Sequence, residues 1–214
     1  MQRFPRLALV GLMLVGNAVL AAQSQDGPTI PKLSDVNPEL LKLVIADQWD
    51  RGMDMFSGRQ VKSPESLDWQ RIGARDAERK KAVRSLLASG QIQSGREYQF
   101  AALVFQHSTD DADLQTAHVL ATTAVAKGDQ QARWLSAASF DRLLWNLSRP
   151  QVFGTQFKQD PQTNKWTMDP YDRESVSDPV RAAWCVVGVA EQERILKALQ
   201  SGAGTPSTGI ADCK

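Results

Sequence analysis

Apolar residues recur at helical spacing over most of this chain. Leu40, Leu41, Val44, Ile45 and Trp49 follow the period of one helix face. Asn37-Pro38-Glu39 stands before them, with a capping side chain and a proline suited to the first helical position. Ser57-Gly58 is the predicted stop. A second helical region opens at Ser63-Pro64, is open to interruption near Gly73, and stops at Gly90. Ser94 caps a third, GREYQFAALVFQHS, whose AALVF run is apolar on every side and marks a buried helix. Asp111 or Asp113 starts a fourth that ends at Gly128. Asp129 caps a fifth that ends at Pro150.

From Gln151 to Ser177 the period disappears, and prolines, a glycine and aromatics punctuate the chain. So long an irregular stretch inside a compact domain is usually functional or disordered. Asp178-Pro179 opens the last helical region, with a break expected at Gly188 and an end near Ser201. The pattern predicts one all-α domain over residues 38–200, with about six helices and an irregular loop at about 151–177. Residues 22–37 read as a flexible leader and 201–214 as a tail. The fourth and fifth helices, alanine-rich with Gly128 at the turn, resemble a tetratricopeptide-type pair. A solenoid needs three or more such repeats, so one pair inside a bundle is expected.

The N-terminus changes the picture of where the protein lives. Arg3 and Arg6 precede an apolar run from Leu7 to Leu20, and Ala21 and Ala22 follow it. That is the layout of a secretory signal peptide, cut after Ala21 or one residue later. The run falls short of the roughly twenty residues a spanning helix needs. The expectation is export to the periplasm or cell exterior, with no membrane span after cleavage. Cleavage takes two arginines and no acid, so the net charge of +1 becomes about −1. A near-neutral chain without a basic tract argues against nucleic acid as partner. Cys185 and Cys213 are the two cysteines, and an even count in an exported chain favours a disulfide between them.

Candidate chemistry is sparse. The motifs GxSxG, GxxxxGK[ST], GxGxxG and HExxH are absent, so no cofactor or metal is expected. His107 lies in line with Phe100, Leu103 and Val104, and His118 in line with Leu114, Ala121 and Val125, so both point inward. Either is a core residue or a general base, the role an imidazole titrating near neutrality suits. Asp141 shares a helix line with Trp134 and Trp145 and needs a partner from another segment, with Arg51 and Arg75 as candidates. In RPQVFGTQF, Arg149 to Phe157, Gln151, Thr155 and Gln156 could bind a neutral polar ligand or cap helix ends.

DQxxR at Asp47–Arg51, RDxxR at Arg75–Arg79, Gln106-His107, ARWLxAAxxDR from Ala132 to Arg142 and RPQxFGTQ from Arg149 to Gln156 occur together. In these motifs the chain resembles a bacterial family known as a domain of unknown function (numbered 6624), over roughly residues 38–195. The resemblance implies a mostly helical domain whose marked polar positions form one site, and it brings no activity. Asp47, Gln48, Arg51, Arg142, Gln151, Thr155 and Gln156 are thus the candidate binding residues. The expected function is a binding or interaction domain for a small polar ligand or an envelope protein, with its pocket at the RPQVFGTQF loop. The alternative is an envelope hydrolase or transferase with His107 or His118 as base, oriented by Asp141.

Overall fold

The Asn37 side chain accepts hydrogen bonds from the backbone N–H groups of Glu39 and Leu40, at 2.9 and 3.2 Å, and α1 runs from Pro38 to Asp50. The computed structural model describes residues 33–202, except 58, 64, 65, 161 and 162, together with residues 209–211. The signal-peptide segment, most of the leader and Cys213 lie outside the described residues.

Helix α1 ends well before the predicted Ser57-Gly58 stop. Gly52 adopts a φ of 76°, and a Cβ there would sit 2.8 Å from the Lys62 carbonyl oxygen. The left-handed turn and the close approach both favour glycine. They send the chain into a small antiparallel hairpin, β1 (Met53–Asp54) with β2 (Arg59–Gln60). Asp68 then caps α2, Trp69–Ala88, by accepting from the Arg71 N–H. Gly73 does not interrupt it: the helix runs through this residue, at a cost in helix propensity, and nothing lies within 4 Å of the Cβ that it lacks.

Ser94 and Glu97 form a capping box at the start of α3, Gly95–Phe105. Asp110 caps α4, Asp111–Ala126. Asp129 caps a 3₁₀ turn at Gln130–Ala132 that leads into α5, Arg133–Asn146. Helices α3, α4 and α5 follow one another as neighbours, with α1 and α2 against α3. Leu40, Val44, Val83, Phe100, Val104, Phe105, Leu120 and Leu135 form the main core. Ala101, Ala102, Ala117 and Ala121, all fully buried, are the small residues between the helices of this sequence.

One feature of the C-terminal third differs from the sequence expectation, and a second, the break near Gly188, agrees with it. The segment 151–177 carries its own short hairpin, β3 (Lys158–Gln159) with β4 (Trp166–Thr167), and Gln151 bridges to Tyr171. The last helical region is two helices, α6 (Asp178–Ala183) and α7 (Val189–Gln200), separated at residues 184–188 where Cys185 has φ 58°. The domain is all-α, with two two-stranded hairpins among the described residues. No described helix is long and apolar enough to cross a membrane.

Candidate functional site

Two buried polar clusters stand on either side of α5, and its consecutive residues Asp141 and Arg142 belong one to each.

The first is built on RPQVFGTQF. After α5 the chain turns back so that its N–H groups converge on the fully buried Asp141 carboxylate. Oδ1 accepts from the backbone N–H of Val152 at 2.8 Å and of Phe153 at 2.9 Å. Oδ2 accepts from the Thr155 N–H at 2.9 Å and from its Oγ1–H at 2.8 Å. Gly154, at φ 74°, makes the turn, and a Cβ there would lie 2.5 Å from the Tyr171 ring. Burial pushes the Asp141 carboxyl above the usual range, while these four donors oppose that shift.

The glutamines of the loop are equally engaged. Gln151 Nε2 donates to the carbonyls of Gln156 and Met168, at 3.0 and 2.5 Å, and its Oε1 accepts from the Gln156 N–H at 2.8 Å. Gln156 Nε2 donates to the Ala138 carbonyl of α5 at 3.2 Å and to Thr155 Oγ1 at 3.0 Å. Arg181 Nη1 and Gln192 Nε2 donate to the Phe153 carbonyl, at 2.8 and 2.5 Å, which ties the loop to α6 and α7. Asp141 therefore has the loop backbone as its partner, where an arginine had been expected. Arg75 instead donates from Nε to Asp50 at 2.6 Å.

The second cluster joins α1, α2, the end of α3 and α5. Buried Asp47 accepts from Arg51 Nη1 and Gln48 Nε2, each at 2.8 Å. Arg51 Nη2 also donates to Asp76 at 2.6 Å. Arg79 donates to Asp76 at 2.8 Å and pairs with Asp50. Asp47, Asp50 and Asp76 thus alternate with Arg51, Arg75 and Arg79. His107 lies just past α3 with Nε2 3.8 Å from Asp47 Oδ2, too far for a hydrogen bond.

Arg142 reaches this cluster from α5 and is buried, yet among the described residues no hydrogen bond or ion pair engages it. Its Nε and the Nε2 of His107 are both buried without a partner. Burial and the neighbouring Arg51 lower the Arg142 pKa to about 10. Burial, with Arg51 and Arg142 adding to it, holds the His107 imidazole neutral, well below its ordinary value. Burial also raises Asp47 to about 7, against the pull of Arg51.

His118 belongs to neither cluster. Its Nδ1–H donates to the Ser136 carbonyl at 3.1 Å and its ring packs 5.1 Å from that of Phe140, which makes it a satisfied contact between α4 and α5. Neither histidine bonds Asp141 among the described residues. No three His, Cys, Asp or Glu side chains among them are grouped to hold a metal ion.

The structure thus brings Asp47, Gln48, Arg51, His107 and Arg142 together and separates them from Gln151, Thr155 and Gln156. Asp50 and Asp76, which complete the ion-pair chain, were not among the expected site residues. Asp76 had a signal in RDAER, where it stands three residues before Arg79; Asp50 had none, because its partners Arg75 and Arg79 lie on another helix. No family model matches the chain, and no match is found among the curated proteins or the solved structures.

Proposed function

We propose that this is a binding domain whose ligand site is the meeting point of Asp47, Arg51, His107 and Arg142. The observation that carries this reading is that two of the buried nitrogens without a hydrogen-bond partner, Arg142 Nε and His107 Nε2, fall in this one cluster. A buried polar group without a partner costs about 1–3 kcal/mol, and more when charged. Two such groups in one cluster are accounted for if a ligand supplies the missing partners. The cluster also reaches the surface: the Arg51 and His107 side chains are 10% and 11% exposed and Arg142 is 9% exposed.

The RPQVFGTQF loop has a supporting role in this proposal. By holding Asp141 it fixes the turn of α5 that carries Arg142. An acid–base enzyme has less support, because both Asp141 oxygens are occupied by the loop and His118 is used in packing.

A thermal-shift screen of small polar compounds tests the assignment. A ligand should raise the melting temperature, and Arg142→Met should abolish the rise while Gln156→Ala preserves it. The opposite pattern would return the site to the loop.

Export to the periplasm or exterior and a Cys185–Cys213 bridge belong to the same proposal. Ala211 donates its N–H to the Cys185 carbonyl at 2.8 Å, and Ile210 bridges to Val186, so the chain two residues before Cys213 lies beside buried Cys185. Thiol titration of the unfolded, unreduced protein should find no free thiol; two would contradict the bridge.

A further inference from the structure

We infer that the ligand of this site is an oxyanion, a carboxylate or phosphate group held by the guanidinium of Arg142. The inference rests on the binding reading above and adds a different observation, the balance of charge. On α1 and α2, three carboxylates face three guanidiniums: Asp47 with Arg51, Asp76 with Arg51 and Arg79, and Asp50 with Arg75 and Arg79. Arg142 is a further cation at this cluster, and no described carboxylate pairs with it.

Arg181 gives the comparison within the same fold. It is fully buried, but it donates to the carbonyls of Val152, Phe153 and Arg173 at 3.3, 2.8 and 3.1 Å, and its Nε lies 3.4 Å from Asp178. Its two terminal nitrogens are engaged and a carboxylate stands within ion-pair distance, although its Nε, like that of Arg142, has no hydrogen-bond partner. Arg142 has neither a bonded terminal nitrogen nor a paired carboxylate among the described residues, and the charge that shifts its pKa is a second cation, Arg51. Like charges gathered in a poorly hydrated place are stable together when an anion lies between them.

The unpartnered atom also selects the shape of the anion. The Nε edge of a guanidinium offers two parallel N–H donors, which match two oxygens of a carboxylate or phosphate. His107 can add a third donor through Nε2 when Nδ1 is its acceptor nitrogen.

The test is a titration of the purified protein with sodium phosphate and, separately, sodium acetate, at ionic strength held constant with sodium chloride. Melting temperature and calorimetric heat are the readouts. At least one of the two anions should produce a saturable rise. Arg142→Met should abolish it and Arg142→Lys should weaken it about tenfold or more, the size expected for lost bonds to a charged group. Arg59→Met, on the exposed β2 strand, should leave it unchanged. A response to one anion alone would support the inference and tell carboxylate from phosphate. If neither anion acts beyond chloride, or if Arg142→Met keeps the effect, the oxyanion assignment is overturned. Neutral compounds that bind through Arg142 would then leave the binding reading standing; compounds that all ignore Arg142 would remove both.

Discussion

Asp47 and His107 approach to 3.8 Å and depart from their ordinary pKa values in opposite senses. Asp47 rises from 3.8 to about 7, so across that window the folded protein keeps a proton that the unfolded chain releases. Its contribution to stability is therefore full at low pH and is lost as pH rises through about 7. His107 is lowered, so its contribution is present above 6.5 and is lost as pH falls. Asp47→Asn removes one of these titrations and keeps the other. The urea midpoint of the wild type relative to Asp47→Asn should be more favourable at pH 5 than at pH 8, and a gap that ignores pH would contradict the burial of an ionisable Asp47. Gly154 and Asp141 make plainer predictions. Gly154→Ala meets both a positive φ and the Tyr171 ring, and should cost about 2 kcal/mol or more. Asp141→Asn strands donors of the loop backbone and should cost about 2–4 kcal/mol, read from urea midpoints.

At the scale of elements, short-range signals were legible and long-range ones were not. Asn37 and Ser94 cap where the sequence says they do, because a cap needs only its own next three residues, while Asp129 caps the 3₁₀ turn before α5 and not α5 itself. The end of α1 could not be read, since Gly52 turns the chain into a hairpin whose partner strand follows later. The start of α2 at Trp69 was similarly hidden behind the Ser63-Pro64 signal. Glu97 goes further than a cap: its carboxylate accepts from the N–H of Ser94 and Gln93 and, across the packing, of Asn37. Burial would raise its pKa, but these donors lower it. The contribution of Glu97 is thus present above 4.5 and lost as pH falls through the folded value. Glu97→Gln should lower stability at pH 7 and converge with the wild type under acid, as followed by helical circular dichroism. Convergence failing would mean that the carboxylate charge is not what joins the starts of α1 and α3.

At the scale of the molecule, helical periodicity identified an all-α domain because each helix buries one apolar stripe, and that stripe is written in the local sequence. It could not tell which polar side chains meet. Asp141 and Arg142 are neighbours on one helix, yet they face different clusters whose other members lie far away in the chain. RPQVFGTQF was legible as a break and as a polar segment. That its polar groups are turned inward onto Asp141, Ala138 and Met168 depends on α5 and β4 being in place. The polar motifs were thus found, but the separation of an inward-bonded loop from an ion-paired cluster in which Arg142 Nε lacks a partner emerges in three dimensions.

The most direct measurement is the urea midpoint of ligand-free protein beside its Arg142→Met variant, in low-salt buffer without phosphate or carboxylate. Residues kept for binding tend to lower stability, and an unpaired buried guanidinium replaced by an apolar side chain of similar length should follow that rule. The account predicts an equal or higher midpoint with an unchanged slope. A loss of about 2 kcal/mol or more, the size of an abandoned buried hydrogen bond, would mean that Arg142 holds the fold together and does not wait for a ligand.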